Sequence, residues 1–280
     1  MAIHPAAGLQ ADWLNGWLAA IGITVLIPDA RLAWTHEPTP AAELHLPTHD
    51  PATYIYQALP THQWFDQLAI ARHHPQADQF PRKVSLDTYQ ARVPLERAAA
   101  HPSLAHSVTD LVPPEDGVLP HSPFDVPAPK GLTLWDRAKK TRAHITSPDW
   151  IADTLAGRGR RIEDNGLGFD VRRLASRADD TDKRSDPVVE TLTFCALALF
   201  PIRGNGRSDT TRGWIRPPSQ QGAFHWAAWR APLDRWAIDA WLDRFHADIE
   251  ADVLQCYATA PYRQTGSSDA TRAYATMRLT

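Results

Sequence analysis

The stretch GWLAAIGITVLIPDARLAWT, residues 16–35, is the most apolar part of the chain and decides how its first part folds. Its longest uncharged apolar run, 17–27, would span about 16 Å as a helix, whereas the hydrocarbon core of a bilayer is about 30 Å thick. A signal peptide carries positive charge ahead of its apolar run, but the first basic residue here, Arg31, follows the run. The stretch therefore predicts a folded core element, and we expect a cytoplasmic protein with no membrane contact.

The hydrophobic period changes within this stretch. Apolar residues up to Ile21 recur at helical spacing, and Asp12 and Gly22 are placed to begin and end a helix. Residues 23–27 are mostly β-branched, and after a short turn residues 31–35 alternate at period two. The pattern predicts a helix followed by a β-hairpin at the beginning of the chain.

Charge is unevenly distributed, although the whole chain of 280 residues has a formal net charge of only −3. Residues 157–216 contain twelve basic residues, eleven of them arginine, and nine acidic ones, which gives +3 there and −6 elsewhere. Arginine suits forked contacts to phosphate. The two cysteines, Cys195 and Cys256, lie far apart in apolar patterns, so we expect reduced core residues, with a disulfide as the alternative.

Helices and short strands alternate in the first half. We predict a strand at 43–46, helices at 61–73 and after Ser85, and a strand at 104–112. Six prolines between 113 and 129 exclude a helix or a central strand, so this segment is an extended connection. The predicted organisation is an N-terminal α+β half (1–112), a Pro-rich connector (113–130) and a C-terminal α+β half with Arg/Gly-rich loops (131–280).

The second half has clear helix boundaries. Ser147-Pro148 predicts a helix start that Gly157 ends, and Asp186-Pro187 repeats the device before an apolar segment, 188–200. The alternating aromatics of AFHWAAW, residues 223–229, predict a strand. Helices are predicted at 235–245, with Trp236 and Trp241 on its apolar face, and at 247–257. The predicted fold class is α+β, with mixed helices and short antiparallel strands.

Motifs of catalysis are scarce. There is no Gly-x-Ser-x-Gly elbow and no P-loop, and the apolar neighbours of Cys195 favour an inert thiol. The nearest pattern to a metal site is His45 and His49 followed by Asp50, but Pro47 lies between the histidines and prevents the helix that would bring them together. We expect no enzyme activity, no cofactor and no metal, with a metal-dependent phosphohydrolase as the least favoured alternative.

The candidate binding residues lie in three glycine- and arginine-rich segments, which are GRGRR (157–161), DNGLGFDVRR (164–173) and RGNGRSDTTRGWIR (203–216). Glycine lets a backbone approach a ligand closely, arginine binds phosphate, and Phe169 and Trp214, if exposed, can stack on bases. The alternative is a set of solvated loops whose arginines pair with neighbouring aspartates. The candidate nucleic-acid-binding residues are Arg158, Arg160, Arg161, Arg172, Arg173, Lys183, Arg184, Arg203, Arg207 and Arg212.

The segment DWLNGWLAAIGITVL, residues 12–26, resembles the Leu-x-x-Trp/Tyr-Leu-x-Ala-Leu/Ile-Gly opening of proteins from type I-G (formerly I-U) CRISPR systems, of the large-subunit-like or helicase-nuclease-extension families. Later landmarks follow in a similar order: SVTDLV (107–112), HSPFDVPAPKGLTLWDR (121–137), NGLGFDVRR (165–173), DPVVETLTFCALALFP (186–201) and FHWAAWRAPLD (224–234). The likeness is one of pattern and order across most of the chain.

The resemblance implies a role in RNA-guided antiviral defence, as a non-catalytic accessory subunit of the effector complex. Such a subunit contacts target DNA or RNA, bridges the effector to its helicase-nuclease, or does both. Its expected partners are effector subunits, the helicase-nuclease and nucleic acid. A second hypothesis is a protein–protein adaptor without nucleic-acid binding, which suits the eleven tryptophans, because aromatic residues are enriched at interfaces.

Overall fold

The fold is given by a computed structural model, which describes residues 1–61, 85–87, 90–91, 112–120, 122–124, 134–170, 184–215, 223–244, 253–262 and 273–279. Its helices are α1 (Leu14–Leu26), α2 (Pro51–Ala58), α3 (Leu134–Ala143), α4 (Pro148–Leu155), α5 (Pro187–Ala196), which a 3₁₀ turn at Leu197–Leu199 continues, and α6 (Arg235–Arg244). Its strands are β1 (Ala2–Gln10), β2 (Arg31–Trp34), β3 (Ala41–Leu46), β4 (Ile162–Glu163), β5 (Arg184–Ser185), β6 (Ile202–Gly204), β7 (Asp209–Thr211), β8 (Trp214–Ile215), β9 (Ala223–Trp229), β10 (Leu233–Asp234), β11 (Val253–Tyr262) and β12 (Ala273–Arg278).

The strands form two four-stranded antiparallel sheets and two small hairpins. The first sheet has the order β1-β3-β2-β10, so a strand from the second half completes a sheet built by the first. The second sheet has the order β12-β11-β9-β8, and the pairs β4-β5 and β6-β7 are the hairpins. The chain is therefore α+β with short antiparallel strands, as predicted.

Helix α1 lies in the middle of the core. Every residue from Leu14 to Thr24 is buried, so this helix has no solvent face. The indole of Trp17 lies 6.0–6.4 Å, between ring centroids, from four aromatic rings and donates a hydrogen bond to the Ala227 carbonyl, 3.0 Å away. The four rings are Phe200, Phe224, Trp226 and Trp229.

The predicted helix end at Gly22 and the predicted strand at 23–27 are wrong, because α1 continues to Leu26. A Cβ at Gly22 would lie 1.9 Å from the Leu192 carbonyl oxygen, so this glycine lets α1 and α5 cross in close contact. Burial on all sides overrides the weak β preference of the Ile and Val residues that follow. The hairpin at this end of the molecule is formed by β2 and β3, and the strand β1 precedes the helix.

Other predictions in the second half are confirmed. The helices that begin at Pro148 and Pro187, the strand at 223–229 and the helix that begins at Arg235 all form, as does the strand at 43–46 in the first half. The prediction of a helix at 247–257 is wrong where the structure describes it, because β11 begins at Val253 and pairs with β9 and β12.

Three predicted elements fall mainly on residues that the structure does not describe: the helix at 61–73, most of the helix after Ser85 and the strand at 104–112. On either side of this part of the chain, the described residues of both halves share one hydrophobic core. The connector contributes Phe124, whose side chain is fully buried, with ring centroids 5.1 Å from Phe224 and 5.5 Å from Phe169. The Pro-rich connector is therefore packed into the fold at this point.

Among the residues described, none of the helices has the length and apolar character needed to cross a bilayer.

Candidate nucleic-acid interface

The loop at 157–161, here called the basic loop, is positioned by the end of α4. Gly157 has φ +77°, a conformation that favours glycine, and its N–H donates to the Thr154 carbonyl, 3.0 Å away. Strand β1 passes closely beneath this turn, since a Cβ at Gly8 would lie 1.8 Å from the same carbonyl oxygen. The helix end thus fixes where the arginines of the basic loop begin.

Arg158 and Arg160 are exposed and share one carboxylate. Arg160 Nε lies 2.8 Å from Asp153 Oδ2, and Arg158 Nη2 lies 3.6 Å from Asp153 Oδ1. The two side chains are 44% and 72% exposed. Ion pairs in this setting are worth only about 0–1 kcal/mol, so a polyanion can compete for both guanidinium groups.

Arg160 also lies over the ring of Trp150, with its guanidinium carbon 5.0 Å from the ring centroid. This cation–π contact and the Asp153 hydrogen bond together orient the guanidinium group. Sequence reasoning did not select Trp150 or Asp153 as functional residues. Their three-residue spacing on α4, which places both on one helical face, is the signal that could have identified them.

Two further exposed arginines flank the small β4–β5 hairpin. Arg161 directly precedes β4, and Arg184 is the residue of β5 that pairs with Glu163. Because Ile162 pairs with Ser185 and Glu163 with Arg184, Arg184 lies opposite Glu163, two residues beyond the end of the basic loop. Four of the predicted arginines are therefore exposed in the basic loop and in the strand pair that follows it.

Asp186 is the half-buried acid behind this surface. Its carboxylate caps α5, accepting from the backbone N–H of Val188 at 2.9 Å and from Thr154 Oγ1 at 2.9 Å. Burial raises the pKa of Asp186 to about 6, and the hydrogen bonds and the nearby charge of Arg161 oppose that rise. A Cβ at Gly159 would lie 1.9 Å from Asp186 Oδ2, so the basic loop packs directly on the capping carboxylate.

The arginines of the 203–216 segment have different surroundings. Arg207 is exposed at the tip of the β6–β7 hairpin. Arg203 Nη1 lies 2.6 Å from Asp243 Oδ1, and its side chain is 37% exposed.

Arg212 is the clearest departure from the predicted set, because its side chain is only 4% exposed. It donates to Asp243 through Nε at 2.6 Å and through Nη2 at 2.9 Å, to Asp239, and to the Leu199 carbonyl at 3.1 Å. These contacts attach the β7–β8 turn to α6 and to the end of α5. The expectation that Arg212 contacts phosphate is therefore wrong, and its role is structural.

The loop at 164–170 is also packed inside the protein, contrary to the expectation of an open glycine loop. Leu167 N–H donates to Glu190 Oε2 at 2.6 Å, and Trp13 Nε1 donates to Asp170 Oδ1 at 2.9 Å. Phe169 is fully buried, so it cannot stack on a base. The partners of this loop lie just before α1, on α5 and on α3, which supplies Arg137 and Lys140. No local sequence signal indicates such distant contacts.

Three predicted residues, Arg172, Arg173 and Lys183, lie outside the described residues.

The alternative metal site is not supported by the arrangement of its residues. Asp50 caps α2, accepting from the Thr53 N–H at 3.1 Å, and His49 is exposed. Within the described ranges, no group of three His, Cys, Asp or Glu side chains is placed to hold a metal ion. Both cysteines are free and buried, and burial raises the pKa of the Cys195 thiol to about 12.

No family model, no curated protein and no solved structure matches this chain.

Proposed function

We propose that this chain is a non-catalytic accessory subunit of a type I-G CRISPR antiviral effector, which contacts nucleic acid through the basic loop. The observation that supports the proposal most directly is the exposure of four arginines in the basic loop and the β4–β5 pair: Arg158, Arg160, Arg161 and Arg184. The likeness of the N-terminal segment and of the later landmarks to that family supplies the biological setting. In this proposal the subunit works in the cytoplasm beside other effector subunits and the helicase-nuclease.

The physical basis of the contact is charge neutralisation. The carboxylate of Asp153 is 26% exposed and holds Arg158 and Arg160 through weak pairs. A nucleic-acid backbone offers a row of phosphates and releases condensed counterions when arginines bind it, which an isolated carboxylate does not do. Phosphates therefore replace the 3.6 Å pairing of Arg158 with Asp153 at low salt, and the affinity for nucleic acid falls steeply as salt rises.

The test is the binding of short single-stranded and duplex DNA at two salt concentrations, with the chain alone and with its effector partners. The test variant replaces the four arginines of the proposed surface with glutamine. A matched control replaces four other exposed arginines, so that the net charge is equal; these are Arg31, Arg230, Arg244 and Arg278. The proposal predicts loss of binding only in the first variant. Absence of binding by the wild-type chain at low salt, in both settings, contradicts it.

A protein–protein adaptor is the second candidate function, and the pairing of arginines with acids favours it. Arg203 and Arg212 are both engaged by Asp243, and Trp236, predicted on the apolar face of α6, is instead 69% exposed. An adaptor retains its protein partners from a host lysate after nuclease treatment and in the four-arginine variant. Loss of the same partners in either condition contradicts the adaptor and supports a contact that depends on nucleic acid.

A further inference from the structure

Arg160 of the basic loop contacts both an aromatic ring and a carboxylate of α4. Arg160 lies over the Trp150 ring on one side, while its Nε is held by Asp153 at 2.8 Å. The indole and the carboxylate together orient the guanidinium group, and 44% of the Arg160 side chain remains exposed to solvent. We call this pair the Trp150–Arg160 stack.

Contacts from α2 and α3 hold the segment that leads into α4. Tyr56 on α2 donates through its hydroxyl to the Thr146 carbonyl at 3.1 Å, just before α4 begins. Arg142 lies over the Tyr56 ring at 5.7 Å and donates to the Pro60 and Ile145 carbonyls at 2.9 and 2.8 Å. These contacts connect α2 and α3 to the start of α4, so they hold in place the helix that carries Trp150.

An oriented guanidinium plane is a recognition element for unpaired bases. In a duplex the base faces are covered by their neighbours, and a surface arginine reaches only phosphates and groove edges. In a single strand the bases can separate and stack on aromatic rings or on guanidinium planes, while arginines beside them contact the backbone. Arg158 lies two residues before Arg160 and Arg161 directly follows it, and both side chains are exposed.

We propose that the Trp150–Arg160 stack seats an unpaired base of a single-stranded nucleic acid, with Arg158 and Arg161 on the adjoining phosphates. This inference rests on the proposed function and names its substrate class. It predicts an affinity with two parts, a salt-dependent part from phosphates and a base-dependent part from stacking.

The experiment separates these two parts by fluorescence anisotropy. The probes are oligothymidylate, oligouridylate, an abasic deoxyribose-phosphate strand and a duplex, each about 15 residues long to match typical single-strand sites. The variant is Arg160→Lys, which keeps the charge and removes the planar group, and Arg31→Lys on β2 is the matched control. Lysine at an exposed site does not threaten folding, so a loss of affinity reports on the contact.

The expected result is that the wild-type chain binds the base-bearing strands at least about fivefold more tightly than the abasic strand, since stacking contributes that much per base. Arg160→Lys removes this difference and leaves abasic binding unchanged, and Arg31→Lys changes neither. Equal affinity of the wild-type chain for base-bearing and abasic strands overturns the inference. A preference for base-bearing strands that persists in Arg160→Lys also overturns it. Neither result contradicts the proposed function. Failure to bind any probe at low salt overturns both. The two sugar types show whether DNA or RNA is preferred, and a preference for either is consistent with stacking.

Discussion

The half-buried helix cap Asp186 makes the stability of this protein depend on pH in a way that one substitution isolates. Burial raises its pKa from the ordinary value of 3.8 to about 6, against hydrogen bonds from Thr154, Val189 and Val188 and the charge of Arg161. The folded chain therefore holds this proton more tightly than the unfolded chain does. It follows that ionisation of Asp186 works against folding.

The size of the effect follows from the two pKa values. At 1.36 kcal/mol for each pH unit, the difference between 3.8 and about 6 corresponds to about 3 kcal/mol. The contribution of Asp186 to the free energy of unfolding is greatest below about pH 4. It falls as pH rises to about 6 and stays lower above that. Asp186→Asn retains a capping oxygen and does not titrate, so it does not show this decrease.

The measurement is urea unfolding of the wild type and Asp186→Asn at several values between about pH 4 and pH 8. The variant gains about 3 kcal/mol relative to the wild type over that interval. If the amide of the variant packs poorly against Gly159, its free energy of unfolding falls by the same amount at every pH. The change with pH of the difference from the wild type is then unaffected. If the difference in free energy of unfolding between Asp186→Asn and the wild type is the same at every pH, the raised pKa of Asp186 is refuted as the cause of the pH dependence.

A matched control is the other Asp-Pro cap, Asp50. Hydrogen bonds from Thr53 lower the pKa of this exposed carboxyl. Its ionised form therefore favours folding above the ordinary pKa, and that stability is lost as pH falls through the lowered value. Asp50→Asn loses stability relative to the wild type as pH rises, the opposite sign to Asp186→Asn.

Three further predictions concern residues that hold the fold together. Gly22→Ala forces a Cβ against Leu192, so we expect thermal unfolding to show a loss of about 1–3 kcal/mol, whereas a gain would mean that helix propensity dominates. Arg212→Leu removes buried hydrogen bonds to charged groups and should cost about 2–3 kcal/mol, compared with less than about 1 for the exposed Arg203→Gln; equal losses would contradict the structural assignment. The Cys195 thiol, with its pKa raised to about 12, should resist a thiol reagent at pH 8 in the native protein and react in urea, and fast native labelling would show that it is accessible.

Local signals predicted those elements whose cause is local. The Asp186-Pro187 pair was predicted to begin a helix and does so, with the carboxylate as cap and proline in the first turn. The Asp50-Pro51 pair begins α2 by the same device, but that helix was not predicted. The alternating aromatics of β9 likewise predicted a strand, and burial alternates with them from Ala223 to Trp226. The same pairs show the limit of local reasoning, since burial of one carboxylate and exposure of the other give them opposite pKa shifts.

Elements that depend on distant contacts were predicted wrongly. The β-branched end of α1 is helical because α5 and both sheets surround it, which residues 23–27 alone do not reveal. The 164–170 loop looks flexible in sequence, but it is buried because Glu190 and Trp13, far away in the chain, bind its backbone and its aspartate. Within the candidate site, an arginine-rich sequence identified the basic loop and also Arg212, because composition does not show which guanidinium groups face an acid inside the protein.

The most direct test of the central claim is the salt dependence of single-strand binding. Each phosphate neutralised on a single strand contributes about 0.7 to the slope of log K against log salt. Replacing the four arginines, of which Arg158, Arg161 and Arg184 contact one phosphate each, therefore lowers the slope by about 2. The charge-matched control variant keeps the wild-type slope. An unchanged slope in the first variant, or an equal decrease in both variants, would contradict the claim that these four arginines form the nucleic-acid surface.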